Sequence, residues 1–371
     1  MLEARLTKVL GDFHLEAELT TGSGRVTALF GPSGAGKSTL AACLAGLIDP
    51  DQGRVSLDGV ELFNSENGTR VAPERRRIGL VFQDARLFPH LSVKGNLEYG
   101  LSRTPSIERR VDFDTVVGLL DLAPLLSRRP RTLSGGEKQR VAFGRAVLTS
   151  PRLLIMDEPL ASLDALRKSE ILPFIERLRD ELAIPIIYVS HVIEEILRLA
   201  DDVVVFSDGK VVRAGPAVET LNATAVVHGA DGDPASVIEA VVEAEDPGDG
   251  LTALAFGGHL IYVPAIAGQA GDRIRLRIRA RDVALARSKP HDISVLNILA
   301  GRITEISAGG IGHTDVRLDI GGGLWARITR RSANELALRV GQEVYALIKS
   351  VAIDRGGTGA GGRSEEPRNK G

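Results

Sequence analysis

The run GPSGAGKST, Gly31 to Thr39, constrains this chain more than any other stretch. It directly follows the apolar run Arg25–Phe30 and opens the helical pattern Ser38–Leu47, a strand–loop–helix context. Gly31, Gly34 and Gly36, with Pro32, Ser33 and Ala35 between them, leave successive backbone N–H groups free to point at one anion. Lys37 adds a point charge beside the terminal phosphate oxygens, and Ser38, followed by Thr39, offers a hydroxyl to Mg²⁺. These residues predict a nucleotide-phosphate site on an α/β sheet.

The rest of the first half supplies that sheet. Arg25–Phe30, Ile78–Phe82, Leu153–Asp157, Ile186–Val189 and Val203–Phe206 are continuous apolar runs of buried-strand length, separated by amphipathic segments such as Glu137–Thr149 and Leu166–Leu182. The alternation predicts a mainly parallel sheet. Asp208-Gly209 reads as a two-residue hairpin turn. Leu153 to Glu158 is an apolar strand ending in two acids, where ligands of α/β sheets sit. Asp157 is placed to bind Mg²⁺, and Glu158 to act as general base for the attacking water or as its orienter.

At 371 residues the chain is long enough for two or three domains. The glycine- and aspartate-bearing stretch His228 to Pro234 marks a boundary, which gives a first domain over 1–229. Beyond it the pattern becomes all-β. Val237–Ala244, Leu251–Ala255, His259–Val263 and Arg273–Arg279 form a linker and first β unit within 230–290, and a comparable series from Val295 to Ile353 fills 291–355. Gly271, Ile274, Leu276, Ile278 and Arg279 match Gly341, Val344, Ala346, Ile348 and Lys349 at a constant offset, an internal duplication. Residues 356–371 carry glycine and charge with nothing to bury, so a disordered tail is expected.

Composition removes several functional classes. The single cysteine, Cys43, rules out an intramolecular disulfide or a cysteine metal cluster, and its neighbours Leu40 to Leu47 predict a buried helical position. A net charge of −2 lacks the basic excess of a protein held by nucleic acid, and PERRR, Pro73 to Arg77, reads as a solvated face near the phosphates. No apolar run approaches the roughly 18 residues of a spanning helix.

LSGGEKQR, Leu133 to Arg140, lies upstream of Asp157 and opens the helix Glu137–Thr149. Here the sequence resembles the ATP-binding subunits of ABC transporters, whose signature is LSGGQ; Glu137 stands where glutamine is usual. The resemblance implies a P-loop ATPase cassette with a helical subdomain between Gln83 and Ser134, ATP and Mg²⁺ as cofactors, and a homodimer holding two ATP. It implies that Ser134, Gly135 and Gly136 meet the γ-phosphate bound to the second copy. Gln83 matches the residue that senses Mg²⁺ and the attacking water beside the surface for the membrane subunit. Asp164, in Ser162-Leu163-Asp164, matches the loop that crosses to the partner's site, and His191 matches the switch histidine at the γ-phosphate. For the aromatic that stacks on adenine the chain offers Phe13, with Leu10 as rival.

A cassette followed by an all-β, OB-like regulatory domain resembles bacterial importer ATPases, and VFQDARLFPHLSVKGNLEYG, Val81 to Gly100, is similar to molybdate importer ATPases. Ser294 to Asn297, Ile328 to Ser332 and Ile348 to Ser350 resemble the segments that build oxyanion pockets in Mop domains, with Leu296 where arginine is frequent. Ser294, Thr329, Ser332, Lys349 and Ser350 then supply small donors and one cation for a tetrahedral dianion. The implied function is energising molybdate import from the cytoplasmic face of the inner membrane, as a peripheral subunit. Its implied partners are two integral membrane permease subunits and an external molybdate-binding protein, with no nucleic acid. An importer ATPase for sulfate, iron or polyamine, and a soluble ABC ATPase acting on nucleic acid or translation, remain as alternatives.

Overall fold

In a computed structural model, residues 1–22, 24–223, 234–246, 250–266, 269–350 and 354–359 are described. They fall into two compact units divided between Thr220 and Leu221. The boundary expected within His228 to Pro234 lies almost wholly outside the described residues.

The first unit is built on one mixed sheet. Its strands are β1 (Leu2–Leu10), β2 (Phe13–Thr21), β3 (Val26–Phe30), β4 (Gln52–Leu57), β5 (Val60–Asn64), β6 (Thr69–Arg70), β7 (Ile78–Val81), β8 (Leu153–Asp157), β9 (Ile186–Ser190), β10 (Asp202–Ser207) and β11 (Lys210–Pro216). The spatial order is β6-β5-β4-β1-β2-β11-β10-β3-β9-β8-β7. From β10 to β7 every neighbour is parallel, and these are the five apolar runs read from the sequence. The β1–β2 and β4–β6 part is antiparallel. Buried side chains of both parts meet α1 (Lys37–Ala45) in one core that includes Leu29, Leu40, Cys43, Phe63, Ile155 and Phe206.

The remaining helices of this unit are α2 (Val93–Leu101), α3 (Phe113–Leu119), α4 (Gly135–Val147), α5 (Ala165–Leu182) and α6 (Ile193–Leu199), with α7 (Ala217–Asn222) following β11. The helix expected over Leu166–Leu182 forms despite Pro173 inside it. The turn between β10 and β11 has both Asp208 and Gly209 at positive φ, 48° and 77°, as the hairpin reading requires.

The arginine run departs from its expectation. Arg76 is 2 % exposed and donates to the carbonyls of Val71, Cys43 and Leu44 at 2.8–2.9 Å, closing the C-terminal end of α1. Arg77 pairs with Glu108 and donates to Ser150 O at 2.8 Å. Arg76 is therefore an internal brace, because unsatisfied helix-end carbonyls attract cations, and Arg77 is a partly buried tie between Glu108 and Ser150.

The second unit contains β12 (Ala235–Asp246), β13 (Leu251–Phe256), β14 (His259–Pro264), β15 (Arg273–Arg279), β16 (Val283–Ala286), β17 (Asn297–Ala308), β18 (His313–Asp319), β19 (Gly323–Thr329), α8 (Arg330–Glu335), β20 (Glu343–Ile348) and β21 (Asp354–Gly359). One sheet runs β14-β13-β12-β15-β21 and the other, read from its hairpin edge, β19-β18-β17-β20-β16. The two halves thus repeat one strand order, and each takes its fifth strand from the other. Gly271 and Gly341, matched in sequence, also match in φ, at 96° and 87°.

One hydrophobic core, from Ile238 to Ile348, spans both halves, so 230–290 and 291–355 do not each enclose a core of their own. The expected tail also starts too early. Backbone pairing of Arg273 with Gly359 and Ile274 with Thr358 carries order past residue 355, because a ladder needs N–H and C=O groups rather than apolar side chains. Residues 360–371 lie outside the described residues.

Candidate active site

Four adjacent parallel strands, β3, β9, β8 and β7, end at one edge of the sheet. Their C-terminal ends deliver Gly31, His191, Asp157–Glu158 and Gln83 in that spatial order. The sheet, rather than proximity in sequence, gathers the site.

The phosphate loop leaves β3 at Gly31, where a Cβ would stand 2.3 Å from Phe206 O on β10, so no side chain fits. At Gly36 φ is +97° and a Cβ would lie 2.9 Å from Phe13 Cζ. Phe13 therefore packs its ring edge against the loop it was expected to serve as an adenine platform, while Leu10 is exposed. Lys37 is 4 % exposed and its Nζ donates to Gly31 O at 2.9 Å and Pro32 O at 2.8 Å, within its own loop. Burial lowers its pKa, and the nearby Glu158 and Asp157 carboxylates oppose that shift.

Ser38 Oγ donates to Asp157 Oδ1 at 2.8 Å. This hydroxyl–carboxylate pair is the hard-oxygen donor set that suits Mg²⁺ completed by phosphate oxygens and water. Burial pushes the Asp157 carboxyl above its ordinary pKa, while the Ser38 hydrogen bond opposes the shift. The next residue, Glu158, turns out of β8 with φ +45°, a conformation rare for a non-glycine residue. Its amide donates to Val189 O at 3.0 Å, and its Oε1 lies 3.3 Å from His191 Nδ1. The geometry thus joins Glu158 with His191, and Ser38 with Asp157, as two pairs on neighbouring strand ends.

Gln83 is exposed beyond β7. The loop it stands on is fastened to α4, since Gln139 Nε2 donates to Phe82 O at 3.3 Å and Arg145 to Ala85 O and Arg86 O at 3.2 and 2.9 Å. These anchors escaped the sequence reading because nothing in the helical pattern marks one polar residue as facing a loop. Ser134 caps α4, accepting from Glu137 N at 3.2 Å while Glu137 Oε2 accepts from Ser134 N at 2.7 Å. That bond, first of several causes, holds Glu137 below its usual pKa. A side chain at Gly135 would lie 3.1 Å from Leu163 Cδ2 and one at Gly136 3.2 Å from Ile171 Cδ1, so both glycines keep α4 close to the residues around the start of α5. Asp164 is the cap of α5, accepting from Arg167 N at 2.9 Å. Among the described residues, no hydrogen bond joins Ser134–Gly136 or Asp164 to the Lys37 loop.

In the second unit, Thr329 caps α8 and its Oγ1 lies 2.8 Å from Ser332 Oγ. Ser350 Oγ accepts from Asn297 Nδ2 at 3.3 Å, and Ser294 and Lys349 are exposed. Asn297 opposes Ile348 at the first residue of β17, whereas Thr329 opposes His313, beyond the last paired residue Ala308. The five expected oxyanion residues therefore form two groups at opposite ends of that strand.

Among the described residues, no helix is long and apolar enough to cross a membrane. The ABC transporter family matches residues 15–161 and the TOBE domain residues 293–354. The Molybdenum import ATP-binding protein ModC of Mesorhizobium japonicum is 52 % identical over 354 residues, covering 95 % of both chains. That of Rhizobium etli is 50 % identical, over 93 % of this chain and 97 % of its own. A solved structure, cbiO1 from Clostridium perfringens, a part of the ABC transporter complex cbiONQ, superposes with a TM-score of 0.51 at 32 % identity, covering 59 % of this chain and 89 % of that one. With near-complete coverage at this identity, the chain belongs to the family of molybdenum import ATP-binding proteins, ABC-transporter ATPases with a C-terminal TOBE domain.

Proposed function

We propose that this chain hydrolyses ATP to drive molybdate import. The observation that carries the hydrolytic part is the pairing of Glu158 with His191 beside Ser38–Asp157, at the strand ends where Lys37 and the glycine loop begin. The molybdate part is supported by the names of relatives matching along nearly the whole chain.

In this reading Lys37 and the loop amides hold the β- and γ-phosphates. Glu158 orients a water in line with the γ-phosphorus and accepts its proton as the new P–O bond forms and the bond to the leaving ADP oxygen breaks. His191, set by its contact with Glu158, donates to the γ-phosphate. Ser38, Asp157 and Gln83 would hold Mg²⁺, which when bound neutralises charge on the phosphate oxygens.

Ser134–Gly136 and Asp164 would complete the site of a second copy, giving a homodimer with two nucleotides. The Gln83 loop would face two membrane permease subunits at the cytoplasmic face of the membrane, with an external molybdate-binding protein supplying them. Ser294, Lys349 and Ser350 at one end of β17, and Thr329 and Ser332 at the other, would contribute to separate regulatory oxyanion sites in the β unit.

Hydrolysis by the chain assembled with its permease tests this reading. Molybdate-loaded binding protein is expected to stimulate turnover while sulfate-loaded protein does not; equal stimulation by both would reject the molybdate assignment.

A further inference from the structure

We propose that Glu195 is a positioning residue for hydrolysis: its carboxylate locks the turn that carries His191 and ties that turn to the first turn of α5. The inference rests on the reading that His191 and Glu158 act together on the terminal phosphate.

Glu195, on α6, is 4 % exposed, yet its carboxylate takes three hydrogen bonds. Tyr188 OH donates to Oε2 at 2.9 Å, Ser190 Oγ to the same oxygen at 2.8 Å, and Lys168 Nζ to Oε1 at 2.9 Å. Tyr188 and Ser190 are two apart on β9, so strand alternation points both at α6. Burial raises the Tyr188 pKa well above its usual value, which keeps the phenol a donor. Ser190 Oγ also accepts from Val192 N at 3.0 Å. One hydroxyl, oriented by Glu195, thereby brackets His191 from the residue before it and the residue after it.

The other arm reaches a different part of the site. Lys168 lies in the first turn of α5, its amide donating to Asp164 O at 2.9 Å, directly after Ser162-Leu163-Asp164. The pair Lys168–Glu195 thus links the loop expected to meet the second copy with the turn that sets the 3.3 Å approach of His191 to Glu158. A buried carboxylate is costly unless its donors are fixed, so a side chain kept only for packing would be apolar here.

The test uses the full chain assembled with its permease, measuring kcat, KM for ATP and the thermal midpoint of Glu195→Gln, alone and in a His191→Ala background. Glu195→Gln is expected to lower kcat about tenfold with KM little changed, and to have no further effect once His191 is gone. Ser190→Ala is expected to show the same loss and Ser190→Thr, which keeps the hydroxyl, to restore turnover. Should Glu195→Gln fold poorly, Lys168→Arg, which keeps the charge beside the buried carboxylate but changes the donor geometry, is expected to lower kcat with little change in midpoint. Unchanged kcat in the folded variants, or an equal fractional loss with and without His191, would overturn the proposal. A fully active His191→Ala would instead overturn the His191 assignment on which it rests.

Discussion

At the scale of single residues, the site divides its work between two acids that differ by one position. Asp157 continues the strand and meets Ser38; Glu158 leaves it at φ +45° and meets His191. Glu158→Gln keeps the shape while removing the proposed base, so nucleotide binding is expected to persist while turnover falls about 10²-fold or more, read by steady-state hydrolysis beside nucleotide titration. Both acids were legible in the sequence because an apolar strand ending in carboxylates is a local signal. The roles of Glu195 and Arg76 were not, since each depends on partners brought from distant segments. Cys43, correctly placed in the sequence as a buried helical residue, has its thiol pushed up to about 11 by burial. A group whose native pKa is raised binds its proton more tightly folded than unfolded. Stability from this group is therefore full below the ordinary thiol value of about 9 and declines toward pH 11. Urea unfolding at rising pH should show a steeper decline in the wild type than in Cys43→Ala.

At the scale of elements, α4 shows why a departure from the usual signature is tolerated. Glu137 returns the Ser134 amide's hydrogen bond, a part that glutamine can play with the same geometry. Glu137→Gln should shift unfolding by less than about 0.5 kcal/mol, whereas Glu137→Ala should cost about 1 kcal/mol, measured by denaturant midpoints. The five parallel strands were readable because strands buried on both faces are apolar throughout. The short antiparallel strands β4 to β6 were not, because Gln52–Leu57 and Thr69–Arg70 mix polar and apolar residues without a clear period. The solvated reading of PERRR holds for Pro73 to Arg75 and fails at Arg76 for a similar reason: charge alone does not reveal which arginine meets helix-end carbonyls.

At the scale of the whole molecule, the duplication read from matched glycines and alternating strands is a pair of sheets that exchange their fifth strands. The offset was visible in the sequence; the exchange was not, because strand pairing partners leave no local trace. The exchange makes the end of the chain structural, since β21 covers the edge of β15. Truncation after Ile353 should lower the thermal midpoint of the β unit while leaving nucleotide binding by Met1–Thr220 intact, a split that calorimetry with and without ATP resolves.

The central claim is that ATP turnover at Glu158 drives molybdate across a membrane. Uptake of labelled molybdate into sealed vesicles holding this chain, its permease and the external binding protein tests it most directly. Uptake is expected only with ATP available to this chain, and not with Glu158→Gln; molybdate accumulation that proceeds without ATP, or undiminished with that variant, would contradict the account.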